Sequence, residues 1–468
     1  MKKVELIQPR HNYAPSFSEE PIGHVYMPTS LLTAGARLLE AGVDIEIHDE
    51  NIQPKRISSP YVGINLLGAP YIPIAIDMQK EISAETRNDA VYLIGGQVAS
   101  GLNTSQFRLL FGQSAYNGNN DATLAQALGI NSSDLKSPEA TSLIPAYEKL
   151  PDASMKQYLS REFSLYVSQG CKFLCDFCAA VRSFRDPSTG EFRRVMESYR
   201  DPEVMRGDLE YLVGKARKFG LKKLDIYMSN LDVFQSPPEL LEFAYAVQSV
   251  KKQNPGFDIK LRGLSTVDSF VKAKSHAGKP IEELIEAGFN TVGFGIDGMT
   301  PRVWRGVNKG INTKNKCLEA IRSARKDYGL TPEVLMVFGH IGVDTEETLK
   351  LANEFTLDMI AKYGAVPRPH VAKSMVPGNK GWSDPENWFF VDVFLKHPEA
   401  FQALDFTALP SELTHPLSQE FRKSVTNYYL EMCKMPGNTT LPTKPITPNL
   451  SSEQIHEIKS FNEGRYDR

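Results

Sequence analysis

Short apolar strands alternate with amphipathic helices along most of this 468-residue chain, in two runs separated by a polar stretch. Parallel strands need a long crossover between them, so this rhythm commits a chain to parallel sheets covered by helices. In the first run, Val4–Gln8, Ile45–Asn51, Tyr61–Leu67 and Val91–Ile94 read as strands, with helical spacing over residues 29–43 and 71–86. That pattern predicts a doubly wound parallel sheet within residues 1–130. Residues 101–160 break the rhythm: they are rich in Asn, Ser, Gly and Pro, with one helical stretch near 122–128, and 131–160 read as a linker. A second run starts at Phe163, with strands at Ser164–Val167, Lys223–Met228, Asp258–Arg262, Thr291–Ile296, Glu333–Phe338 and Pro369–Met375. Helical segments at 202–219, 237–252, 313–328 and 345–363 fall between them. Six such units are too few for a full eight-unit barrel and predict a partial (β/α)6 TIM-like barrel over 161–378, its chemistry at the carboxyl ends of the strands. Residues 379–468 lose the strand rhythm and hold Trp382, Trp388, Phe389 and Phe390, which suggests a mostly helical α-cap with a packed aromatic core.

Composition narrows the function. Lys plus Arg total 53 against 56 Asp plus Glu, a net charge of -3, which gives no global pull toward nucleic acid or a membrane surface. The basic run Lys215–Lys223 lies on and beside a helical pattern and reads as a solvated face. No stretch approaches the roughly 18 apolar residues of a spanning helix, and the N-terminus enters a strand without a signal-peptide core. Of five cysteines, three fall within eight residues, so a disulfide scaffold is not expected and a reducing, cytoplasmic setting is.

Those three lie in Ser168-Gln-Gly-Cys171-Lys-Phe-Leu-Cys175-Asp-Phe-Cys178, a C-x3-C-x2-C spacing on the loop after the first barrel strand. Three thiolates this close can hold one face of an iron–sulfur cubane and leave one iron open. A structural zinc site is the alternative; it wants a fourth ligand, and only distant residues such as His340 or His370 offer one. The motif, its position and the aromatic Phe177 before the last cysteine resemble the radical S-adenosylmethionine (SAM) superfamily over residues 163–375. The resemblance implies that Cys171, Cys175 and Cys178 hold a 4Fe–4S cluster whose open iron is chelated by SAM, and that one electron then cleaves the sulfonium. An electron donor such as flavodoxin or ferredoxin is implied as partner. It also places SAM-binding residues at later strand ends: Phe177, Ser229 and Asn230, Arg262 for the carboxylate, Asp297 for the ribose and Gly342 near the adenine. Thr345 reads better as a helix cap than as a ligand. His370 and Lys373 follow the sixth strand, where family members border substrate.

The N-terminal doubly wound domain resembles the cobalamin-binding subclass of that superfamily. Gly95 and Gly96, at a strand end, are where a bulky corrin would approach the backbone. The Asp-x-His-x-x-Gly element that gives cobalt a histidine is absent: His48 has no Asp two positions before it and no Gly three after. Any cobalamin is therefore expected with its benzimidazole displaced and no histidine in its place. One departure is that the stretch expected to be Gly-Glu-Gly-Glu-like is Gly118-Asn119-Asn120-Asp121; an empty domain stays open. The resemblance implies a cobalamin-dependent methyltransferase acting on an unactivated carbon of a small molecule or peptide. Radical hydrogen abstraction without functional cobalamin is the second reading, and a nonenzymatic iron–sulfur protein the third. Cys317 and Cys433 are too few for a second three-cysteine cluster.

Overall fold

The computed structural model describes residues 2–10, 26–53, 57–86, 90–180, 197–276, 279–415, 418–444, 451–453, 455–456, 458 and 460. Five parallel strands form the first sheet: β1 (Lys3–Gln8), β2 (Asp44–Asp49), β3 (Tyr61–Asn65), β4 (Val91–Gly95) and β5 (Ala115–Asn117), in the order β2-β1-β3-β4-β5. The order reverses between β1 and β3, which is where an open α/β sheet leaves a crevice for a ligand. Helix α1 (Thr29–Glu40) covers one face; α2 (Tyr71–Thr86), α3 (Gln97–Gly101) and α4 (Thr104–Phe111) follow, then α5 (Asp121–Leu128). Successive residues of a strand face opposite sides, and both sides here are buried: Val4 and Leu6 join the core under α1, while Ile7 joins the core on the other face. The short strand β5 falls inside the stretch that sequence rhythm left unassigned.

Residues 131–160 are not an extended linker. They form two 3-10 turns, at Ser132–Asp134 and Pro138–Ala140, and helices α6 (Ile144–Glu148) and α7 (Asp152–Leu159). Leu143, Tyr147, Met155 and Tyr158 are buried in the same core as the first sheet and the barrel. The Tyr158 hydroxyl donates to Asp49 at 2.5 Å, and the fully buried Arg200–Asp208 pair holds the segment to the barrel through Thr141 O and Leu143 N. Ser142 Oγ adds a bond to Asp208 at 2.7 Å.

The barrel has six parallel strands in sequence order: β6 (Glu162–Tyr166), then β9 (Lys223–Ser229), β10 (Asp258–Thr266), β11 (Phe289–Gly295), β12 (Thr331–Phe338) and β13 (Val366–Val371). A two-stranded antiparallel piece, β7 (Ser168–Gln169) with β8 (Ser198–Tyr199), sits after β6. Helices α8 (Pro202–Lys218), α9 (Pro237–Gln253), α10 (Val267–Ser275), α11 (Lys279–Ala287), α12 (Pro301–Gly306), α13 (Lys314–Lys326) and α14 (Glu346–Tyr363) intervene. The sheet is open between β6 and β13, so its concave side admits a ligand.

The C-terminal region is helical, with α15 (Trp388–Lys396), a 3-10 segment Pro398–Leu404 and α16 (Gln419–Cys433). It does not cap the barrel alone. Trp382, Phe390, Phe394 and Phe401 share a core with Ile72, Phe107 and Phe111 of the first domain, and Trp382 Nε1 donates to Gln106. Val425, Tyr429 and Met432 of α16 belong instead to the barrel core. The segment thus ties the two sheets together, and of its four singled-out aromatics Trp388 is exposed. Among the described residues no helix is long and apolar enough to cross a membrane.

Candidate active site

The three motif cysteines follow Gly170, whose φ of +87° turns the chain out of β7 onto the open end of the barrel. Cys171 and Cys175 are buried and Cys178 is half-buried. Four contacts from different elements fix the loop: Asn308 Nδ2 donates to Leu174 O at 2.7 Å, Asp176 N to Val307 O at 3.0 Å, Lys172 N to Gln235 Oε1 at 2.7 Å, and Lys380 Nζ pairs with Asp176 at 3.0 Å. Burial, with Asp232 and the neighbouring cysteines adding to it, pushes the Cys171 thiol up to about 12, so a cationic group is needed to draw off its proton. Among the described residues, the metal-capable side chains whose ligand atoms converge within 4.8 Å are Glu5, Glu46 and His48, not the cysteines. A single tetrahedral zinc would hold its sulfurs about 3.8 Å apart; the corners of a cubane hold them farther apart.

The candidate SAM residues separate into two groups. Ser229 and Asn230 stand at the carboxyl end of β9 beside the cysteine loop. Asn230 is only 5% exposed, yet neither its Oδ1 nor its Nδ2 has a hydrogen-bond partner. Orphaned amide atoms this deep cost roughly 1–3 kcal/mol and mark a place where a polar ligand belongs. Beyond them Asp232, fully buried, accepts from Ser265 Oγ, Thr266 N, Thr266 Oγ1 and Ser269 Oγ. It knots the ends of β9 and β10 together, and burial raises its pKa.

Arg262 does not reach the site. It pairs with Tyr227 and Thr291 in the middle of β10, four residues short of the strand end. Its guanidinium donates twice to Glu333, at 3.0 and 2.7 Å, and once to Glu162 at 3.1 Å; Arg368 grips the other oxygen of Glu333 at 2.6 Å. The charge expected for the SAM carboxylate is spent on an ionic network around the buried Glu333. Asp297 does sit past the end of β11, in a left-handed conformation at φ 55°, but its carboxylate is bound by Lys309 and both are buried. Lys309 in turn lies 6.0 Å over the ring of Phe177, whose centroid is 5.3 Å from that of His340, and His340 Nε2 contacts Asp297 O at 3.2 Å. Phe177, Asp297 and the β12 end are therefore brought together, with Lys309 as the member the motif did not single out. Gly342, at φ +70°, is exposed on the turn after β12 with nothing within 4 Å of a would-be Cβ. Thr345 caps α14 and forms a capping box with Thr348.

At the other end of the site, Gly96 faces the barrel across a cleft of about 430 Å³, while Gly95 lines the recess beside it. Thr29, Ser30 and Ala34 of α1, Gly96 and Asn119 line one side, and Tyr166, Gln169, Tyr227, Ser229 and Asn230 the other. A smaller recess of about 60 Å³ runs from it under α1 past Gly63, Gly95 and Gly118. The two glycines are not equivalent. A Cβ on Gly96 would stand 2.2 Å from Leu66 O, whereas one on Gly95 meets only Asn119 Oδ1 at 3.3 Å. Asn119 holds the Gly96 turn from both sides, accepting from Gly96 N at 2.9 Å and donating to Gly96 O at 2.6 Å. The amides that replace the expected carboxylates thus have a structural task.

A ligand crevice at the switch point of a doubly wound sheet, facing a three-cysteine loop on a six-stranded partial barrel, defines a two-domain α/β protein with its site between the domains. Residues 165–355 match the model of the radical SAM superfamily. An uncharacterised methyltransferase of Pyrococcus horikoshii is 27% identical over 231 residues, covering 48% of this chain and 44% of the relative. The chain thus matches less than half the length of that protein. Two solved structures share the fold. The radical SAM methyltransferase TsrM from Kitasatospora setae, with cobalamin and a [4Fe-4S] cluster bound, is 14% identical, with a TM-score of 0.54 over 79% of this chain and 75% of that one. The cobalamin-dependent radical SAM enzyme OxsB, with aqua-cobalamin and SAM, is 13% identical, with a TM-score of 0.57 over 86% of this chain and 56% of that one.

Proposed function

We propose that this protein is a cobalamin-dependent radical SAM methyltransferase. The observation that carries the reading is the cleft itself: it joins the switch point of the first sheet to Ser229 and Asn230 at the barrel mouth, so two cofactors can face each other across it. The relatives support it, since the methyltransferase and the two cobalamin enzymes named above share this chain's sequence or fold. The donor set fits. Cys171, Cys175 and Cys178 would hold the cluster, and the orphaned amide of Asn230 would bind the polar end of SAM beside the open iron. Ser30, Ala34, Gly96 and Gly118 give the cleft the small floor a corrin needs. When bound, the cluster supplies the electron that cleaves SAM and cobalamin supplies the methyl carrier. The chain's part is to bury both and to keep water from the reactive volume.

The test is anaerobic. SAM added to the reduced cluster should change its EPR spectrum, and turnover with reductant should release 5′-deoxyadenosine and S-adenosylhomocysteine. A spectrum unmoved by SAM, with neither product, would contradict the assignment.

A further inference from the structure

One loop, residues 372–382 between β13 and α15, touches both halves of the site. The two residues read as substrate contacts sit at its start: His370 on β13, its ring 5.0 Å from that of Phe406, and buried Lys373, whose ammonium donates to Ala408 O at 2.9 Å. Farther on, the loop is bound to the cysteine motif. Lys380 N donates to Asp176 O at 3.2 Å, Lys380 Nζ pairs with the Asp176 carboxylate, and a Cβ on Gly378 would stand 3.3 Å from Ala179 Cβ, one residue past Cys178. Its other side meets α3 of the first domain, backbone against backbone. A Cβ on Gly101 would stand 2.4 Å from the carbonyl carbon of Pro377 and 2.5 Å from both Pro377 O and Gly378 N. Asn379, buried, stiffens the loop by donating to Lys373 O at 2.6 Å, and Met375 and Trp382 anchor it in the core shared with the first domain.

Gly101 has no left-handed φ to account for a glycine there. What the missing side chain provides is close approach. Helix α3 also carries the Gly96 turn: Gln97 lines the cleft, and Asn119, which grips Gly96 from both sides, donates to Ser100 Oγ at 2.5 Å. The turn and Gly101 are therefore opposite ends of one short helical piece, about 7 Å long. Contact runs from the Gly96 turn through Gly101, Pro377 and Gly378 to Ala179 and the cysteines. No long side chain lies along that path to absorb a displacement by changing rotamer.

Resting on the two-cofactor reading above, we propose that Gly101 is a positioning residue: its contact with Pro377 and Gly378 is the spacer that sets the separation between the cofactor at the Gly96 turn and the cluster on Cys171, Cys175 and Cys178. Methyl transfer between SAM and cobalamin needs that separation held to within about 0.5 Å, whereas reductive cleavage of SAM depends on the cluster alone. Non-bonded carbons rest about 3.5–4.0 Å apart, so even the methyl of Gly101→Ala parts the two backbones by about 1 Å.

EPR tests this on wild type and Gly101→Ala, each reconstituted anaerobically with iron, sulfide and hydroxocobalamin and reduced until Co(II) and the cluster are both paramagnetic. Their dipolar coupling falls with the cube of the separation. It should be weaker in the variant at equal iron and cobalamin content. In the same samples S-adenosylhomocysteine release should fall about hundredfold, while 5′-deoxyadenosine release stays at the wild-type level. If Gly101→Ala does not fold, Pro377→Gly decides alone: it adds no bulk, removes the ring that fixes the backbone there, and should broaden the coupling. A folded, loaded variant with wild-type coupling overturns the spacer. So does a folded variant that has lost either cofactor, since Gly101 would then belong to a binding site. Wild-type protein that keeps no cobalamin overturns the two-cofactor reading itself, and the spacer with it.

Discussion

Lys373 should make the protein less stable than a neutral residue would, by an amount that depends on pH. Its amine falls from 10.5 to about 7 on folding, and desolvation is the cause. The sign follows from proton counting. Between pH 7 and 10.5 the unfolded chain holds a proton at this site that the folded chain has released, so stability rises with pH across that window. Below pH 7 both states are protonated and the cost is at its fullest, about 4–5 kcal/mol at 1.36 kcal/mol per unit; near pH 9 about 2 kcal/mol of it has been recovered. Met fills the same space without the charge and loses only the bond to Ala408 O, about 1 kcal/mol. The assay is urea unfolding of wild type and Lys373→Met at pH 7, 8 and 9, reading the difference in midpoint so that other titrations cancel. The variant should be the more stable at pH 7, with a lead that shrinks by about 2 kcal/mol toward pH 9. A variant less stable at every pH by a constant amount would refute the reasoning and make Lys373 a plain anchor.

Other outcomes follow from the site. Cys171→Ala, Cys175→Ala or Cys178→Ala should each lose the cluster, read as iron content and the 4Fe–4S EPR signal; a Cys175→Ala protein with full iron would contradict the assignment. Asn230→Ala removes the orphaned amide and should weaken SAM binding about tenfold in anaerobic equilibrium dialysis, where unchanged affinity would take Asn230 out of the site. Asp297→Asn strips buried Lys309 of its counter-charge and should cost about 3 kcal/mol of stability, against which a variant as stable as wild type would count. Gly95→Val should block cobalamin uptake while keeping cluster content, whereas Gly96→Val should fail to fold, since its side chain meets the Leu66 carbonyl at 2.2 Å. Normal cobalamin retention in Gly95→Val would move the corrin elsewhere.

The two sheets were legible because periodicity survives wherever a strand is buried on one or both faces. Thus β1 to β4 and the first five barrel strands lie where the apolar pattern put them, while β13 runs over Val366–Val371 instead of Pro369–Met375. The cysteine loop was legible because ligand spacing is local. Charge partners were not. Arg262 and Asp297 look equally available in sequence, and only pairing across the barrel, with Glu333 71 residues away and Lys309 12 residues away, decides their roles. The same limit hid Gly101, which meets Pro377 only through the fold. Residues 131–160 misled for a related reason: their Asn, Ser and Pro content is that of a connector, yet Tyr147 and Tyr158 sit in the core.

The central claim is that two cofactors share the cleft between the domains. The most direct measurement is the optical spectrum and iron content of protein purified anaerobically, reconstituted with hydroxocobalamin and desalted. The prediction is about four irons per chain together with retained cobalamin, which on reduction to the Co(II) state gives an EPR spectrum without nitrogen splitting from an axial imidazole. Protein that takes up its cluster and cleaves SAM, yet keeps no cobalamin through desalting, would contradict it.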